Sequence, residues 1–98
     1  MNEFKAFSND EISKELKNLD QWNFNKDSME ISKTFTFKGY YKTIAFVNSI
    51  AWQAQKHNHH PDLVVSFGKC TVSLTTHDVD GLSYKDFQMA NIIDSLSF

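Results

Sequence analysis

Three of the four histidines in this chain fall within four positions, at His57, His59 and His60, and the only proline, Pro61, follows them directly. Imidazole changes charge near neutral pH, so such a cluster suits proton transfer or metal binding. Three roles fit these side chains. They could form a polar helix end, where protonated imidazoles complement the helix dipole. They could bind zinc, since His-x-His-His joined by His77 supplies enough nitrogen ligands. They could also form a metal-free acid–base site that gives and takes protons around a polar substrate. The first does not explain a convergence of His77 on the same place. No Cys, carboxylate motif or HExxH accompanies the cluster, which counts against zinc and favours the third.

The 98 residues suffice for one domain with a modest core, and 1–98 is read as a single domain. A 41% hydrophobic content with nine Phe, three Tyr and two Trp excludes a disordered tail. A net charge of −2 gives no basic footprint, so no direct nucleic-acid contact is expected. The single cysteine, Cys70, cannot form an intrachain disulfide and fits a reducing compartment, as core rather than nucleophile. The N-terminus has no apolar signal region and no stretch reaches membrane-spanning length. A cytoplasmic protein without a membrane role is expected.

The elements that must position the histidines follow from the pattern. Ser8 and Glu11 form a capping box that opens a short helix carrying Ile12, Leu16 and Leu19, to about Leu19. Trp22 to Phe24 and Met29 to Phe37 alternate as two strands around the turn Asn25 to Ser28. Met29, Ile31, Phe35 and Phe37 share one side, and Lys33 interrupts it, which suggests exposure or an edge there. From about Tyr40 to His57 the period is helical. Thr43, Phe46, Val47, Ile50, Ala51 and Ala54 form the buried stripe, while Tyr41, Asn48 and Trp52 face outward. The outward Trp52 and Tyr41 suggest a subunit contact.

Leu63 to Phe67 and Cys70 to Thr76 read as a hairpin turning at Gly68-Lys69, with Phe67 opposite Cys70, Val65 opposite Val72 and Leu63 opposite Leu74. Extended backward, that register sets His60 level with His77 and His59 level with Asp78, so the histidines should meet at the open end. Ser83-x-x-Asp86 then starts a last helix with Met89, Ala90, Ile93 and Leu96 inward, to about Ser95. Asp86 thereby supplies negative charge at a helix N-terminus and holds the loop after His77. The order α-β-β-α-β-β-α predicts an α+β fold, a four-stranded antiparallel sheet with three helices packed on one face.

The run Gln55-(three residues)-His59-His60-Pro61, then Phe67, then Thr76-His77 with Gly81-Leu82-Ser83 and Asp86, resembles the pterin-4a-carbinolamine dehydratases. The likeness extends to Trp22, Phe35-x-Phe37, Phe46-Val47 and the segment Ala90 to Asp94, nearly the whole chain from about residue 20. The resemblance implies dehydration of 4a-hydroxytetrahydropterins to quinonoid dihydropterin and water, which recycles the cofactor of aromatic amino acid hydroxylases. It implies no metal or other cofactor, a homodimer or homotetramer, and a sheet backed by helices. Some animal members of that family also bind a homeodomain transcription factor, so a non-catalytic protein-binding module on the same scaffold is the alternative.

The residues matching the family's three active-site histidines are His59, His60 and His77. His59 and His77 are expected to carry the proton transfers and His60 to position the pterin. Pro61 fixes the exit of the chain, and Trp22 either stacks on the pterin or fills core. Gln55 stands where the family commonly has an acidic residue. A neutral amide there makes the site less basic while still hydrogen-bonding a histidine.

Overall fold

The computed structural model describes residues 5–96. Its elements are α1 (Asn9–Leu16), β1 (Asn23–Asn25), β2 (Glu30–Thr36), α2 (Tyr40–His57), β3 (Asp62–Ser66), β4 (Lys69–Leu74) and α3 (Tyr84–Asp94), with a turn of 3-10 helix at His77–Val79 before α3. The four strands form one antiparallel sheet in the order β1-β2-β4-β3. This is the expected α+β arrangement. Among the described residues no helix is long and apolar enough to cross a membrane.

Alternation decides which face of the sheet is covered. In β4 Cys70, Val72 and Leu74 are buried, while Thr71 and Ser73 between them are half-exposed. Ile31 of β2 joins them, and Ile12 of α1, Phe46 and Ile50 of α2, and Phe87, Met89, Ala90 and Ile93 of α3 close over that face. On the open face Thr34 and Thr71 hydrogen-bond each other across the strands at 2.8 Å.

Both capping boxes form as the sequence suggests, Ser8 with Glu11 and Ser83 with Asp86. The Ser8 N–H, 2.7 Å from a Glu11 carboxylate oxygen, holds that carboxyl below its ordinary value. α2 begins after Gly39, whose φ of 113° lies in a region that a side chain would strain. α1 stops at Leu16, a turn short of Leu19, which follows in a turn and is only half-buried.

The hairpin departs from expectation by two residues. The turn is Phe67-Gly68, and Val65 faces Cys70, Leu63 faces Val72 and Ser66 faces Lys69. Contacts from elsewhere fix it: the Phe37 N–H bonds the Gly68 carbonyl at 2.8 Å, and the Thr43 hydroxyl lies 2.9 Å from the Phe67 carbonyl. A Cβ on Gly68 would sit 3.0 Å from the Phe37 oxygen, so only glycine fits this approach. Because the slip is even, the paired side chains keep their faces, although Val65, expected in the core, is 38% exposed on the edge strand. Phe67 moves from the core to the turn, 70% exposed and stacked on Tyr40. Ala51, expected in the buried stripe of α2, is exposed as well.

Lys33 is neither exposed nor on an edge, since β2 lies inside the sheet. Its ammonium sits 4.9 Å from the Phe35 ring and 2.8 Å from the Asp94 carboxylate. The indole Nε1 of Trp22 donates to the other Asp94 oxygen at 3.0 Å. One carboxylate at the end of α3 thus satisfies two donors under the sheet. Asp94→Ala strands both and is expected to cost about 2–4 kcal/mol in urea unfolding. Lys33→Met, which leaves the indole paired, should cost distinctly less.

Candidate active site

The end of α2 delivers the first two imidazoles. Lys56 and His57 occupy its last turn, where positive charge meets the negative end of the helix dipole. Asn58 then takes left-handed angles (φ 51°, ψ 45°), which asparagine tolerates better than most residues, and its N–H bonds the Ala54 carbonyl. The His59 N–H reaches the same carbonyl at 3.1 Å. The chain therefore leaves the helix sharply, and Pro61 turns it toward the extended path of β3.

The third imidazole comes from the end of β4. His77 opens the 3-10 turn, which Asp80 ends in left-handed angles (φ 52°). Thr76 and Gly81 close the loop through paired backbone bonds of 2.8 and 3.4 Å. The Thr75 hydroxyl donates to the Met29 carbonyl at 2.7 Å, tying the loop to the β1–β2 turn.

His59, His60 and His77 line one cavity of about 290 Å³, together with Asn58, Thr75, Thr76, Asp78 and Lys85. Pockets for small ligands run from roughly 300 to 1,000 Å³, so this one stands at the small end of that range. The expected meeting of the histidines holds, though not with the expected partners. Continuing the observed register beyond Asp62 and Ser73 sets Thr75 and Thr76, rather than His77 and Asp78, opposite the His60 and His59 positions.

Asp86 is the residue whose role exceeds the sequence reading. It is fully buried in the first turn of α3, and its Oδ2 accepts from the Ser83 N–H at 3.0 Å and the Thr76 hydroxyl at 2.7 Å. Its Oδ1 lies 2.7 Å from Nε2 of His59, whose side chain is only 11% exposed. The Ser83-x-x-Asp86 spacing marks a capping carboxylate, but nothing local reveals where its second oxygen points. Thr76 stands in the motif beside His77, but its strand position gives no sign that its hydroxyl bonds Asp86.

The other named residues divide. Trp22 is buried in the core, packed edge-on to Phe35, and does not line this cavity. Gln55 and Pro61 border a second, more apolar cavity of about 330 Å³ with Ile50, Ala51, Ala54, Leu63 and His60. His60 belongs to both walls. His57 lines neither. Cys70 is buried, which pushes its thiol above the ordinary value and fits core rather than nucleophile. Among the described residues no cluster of three or more His, Cys, Asp or Glu is placed to hold a metal ion.

Thr76→Val removes one donor from Asp86 and one partner from Ser83, whose hydroxyls are 2.8 Å apart. Leaving these buried groups short of partners is expected to cost about 1–3 kcal/mol. The shift of the urea midpoint measures it.

Comparison with known proteins agrees with this geometry. The family described as pterin 4 alpha carbinolamine dehydratase matches residues 5–96. A protein of Nitrosospira multiformis named "Putative pterin-4-alpha-carbinolamine dehydratase" is 46% identical over 89 residues, covering 91% of this chain and 77% of its own. The crystal structure of a transcriptional coactivator/pterin dehydratase from Brucella melitensis superposes with a TM-score of 0.89 at 26% identity, covering 93% of this chain and 97% of that one. A pterin dehydratase-like RuBisCO assembly factor of the alpha-carboxysome shares the fold alone, with a TM-score of 0.69 at 19% identity over 78% of this chain and 88% of that one. By sequence and by fold, this chain belongs to the pterin 4 alpha carbinolamine dehydratase family of hydro-lyases.

Proposed function

We propose that this protein dehydrates 4a-hydroxytetrahydropterins to quinonoid dihydropterin and water, by acid–base catalysis from histidine side chains, in the cytoplasm. The observation that carries this reading is a polar cavity walled by His59, His60 and His77 together. In the reaction the bond from C4a to the hydroxyl oxygen breaks and the oxygen leaves with an added proton as water. The electron pair of the N5–H bond becomes the second bond between C4a and N5, and that proton is released. His59 and His77 exchange these two protons, and His60, at the junction of the two cavities, positions the bicyclic ring. Groups that titrate near the working pH suit both transfers. The product feeds the recycling of tetrahydropterin consumed by aromatic amino acid hydroxylation.

The protein works as a homo-oligomer, a dimer or a tetramer. Tyr41 and Trp52, 87% and 62% exposed on the outer face of α2, and Val64, 71% exposed on the edge strand β3, support this. The same faces favour the second reading, a protein-binding regulator on this scaffold, a role that the name of the Brucella melitensis protein joins to dehydration. Any such role runs through protein contacts, since the net charge of −2 offers nothing to a phosphate backbone.

Stopped-flow assays with enzymatically generated 4a-hydroxytetrahydropterin test the dehydratase. His59→Ala and His77→Ala should each slow the reaction by about 10²–10⁴-fold while far-ultraviolet circular dichroism stays unchanged. Full activity in the double variant refutes the reading, and wild-type protein without any rate effect favours the regulator. In sedimentation equilibrium Trp52→Glu should lower the mass of the assembly; an unchanged mass removes α2 from the subunit contact.

A further inference from the structure

We propose that Asp86 is a positioning residue for His59, locking the ring as the tautomer with its proton on Nε2, so that protons enter and leave His59 only at Nδ1. This rests on the proposed reaction for its catalytic meaning, but the tautomer itself follows from hydrogen-bond chemistry. Asp86 Oδ1 stands 2.7 Å from Nε2, and a carboxylate can only accept there. The neutral imidazole must therefore place its single proton on Nε2. Nδ1 then bears the lone pair. It has no hydrogen-bond partner among the described residues, where every buried side-chain nitrogen or oxygen has one, so Nδ1 is open to solvent.

The carboxylate cannot turn to a different use. Its Oδ2 is held by the Ser83 backbone N–H at 3.0 Å, a group that can only donate, and by the Thr76 hydroxyl at 2.7 Å. Backbone and capping box therefore define which oxygen faces His59. The arrangement predicts an unusual effect for a nearly isosteric change. In Asp86→Asn the amide oxygen must take the Oδ2 position, because the Ser83 N–H requires an acceptor. The NH2 group then faces Nε2 and donates to it. His59 is forced into the opposite tautomer, with its proton on Nδ1 and no lone pair toward the cavity.

The test reads the ring directly. Long-range proton–nitrogen correlation spectra of the full 15N-labelled chain, taken where the imidazoles are neutral, should show His59 protonated on Nε2 in the wild type and on Nδ1 in Asp86→Asn. In the dehydration assay the same variant should lose about 10²–10⁴-fold in kcat with little change in KM. In a His59→Ala background Asp86→Asn should have no further effect on kcat. A wild-type ring protonated on Nδ1 overturns the proposal, whether or not the variant folds. So does a variant that loses kcat equally with and without His59, which marks a merely structural role. Wild-type protein with the Nε2 tautomer but no dehydratase activity retains the lock and rejects the reaction instead.

Discussion

A buried carboxylate that must be fully hydrogen-bonded is the constraint on which the rest of the site depends. Asp86 is fully buried, and an unpaired charge there would be strongly destabilising. Its donors come from three separate places: Ser83 before α3, Thr76 after β4, and His59 beyond the end of α2. Satisfying one side chain therefore fixes the relative positions of the two segments that carry the histidines. The carboxylate also lies in the first turn of α3, where the helix dipole favours negative charge. The polar tie is maintained because the alternative is desolvation without compensation.

That tie sits at the rim of an apolar assembly that brings its parts within reach. Phe46 of α2 packs against Phe35 and Phe37, with ring centroids 4.7 and 4.9 Å apart, and so presses the helix onto the sheet. Ile50 and Ala54, one and two turns further along α2, continue the buried stripe to the point where Asn58 breaks it. β2 and β4 pair over six residues at the centre of the sheet, and β4 ends just short of Thr75. The core thus places the C-terminus of a helix beside the end of a central strand. The directional bonds then set the side chains within that approximate geometry, a division expected when packing is non-directional and hydrogen bonds are not.

What could be read from the chain was what neighbours in sequence decide. Ser8 with Glu11 and Ser83 with Asp86 signal helix starts because both halves of each capping box lie within three residues. The bounds of α2 are legible because eighteen residues of one period end at a left-handed asparagine before a proline. The hairpin was misplaced by two residues because its turn is chosen by Phe37 and Thr43, remote from it in sequence. Parity preserves the faces of the paired residues. Lys33 was misread because its partner Asp94 lies 61 residues away, and the bond from His59 to Asp86 spans 27. No local pattern encodes either pair.

The three imidazoles of the cavity differ in freedom. His59 is largely buried and bonded at one nitrogen, so its rotamer is set before any ligand arrives. His60 and His77 are exposed, one held by its place before Pro61 and the other at the start of a short 3-10 turn. One fixed group therefore gives the cavity a rigid wall before anything binds there. The two exposed rings keep their rotational freedom. Gln55 borders the apolar cavity rather than the polar one. The carboxylate that serves His59 comes instead from α3, through Asp86.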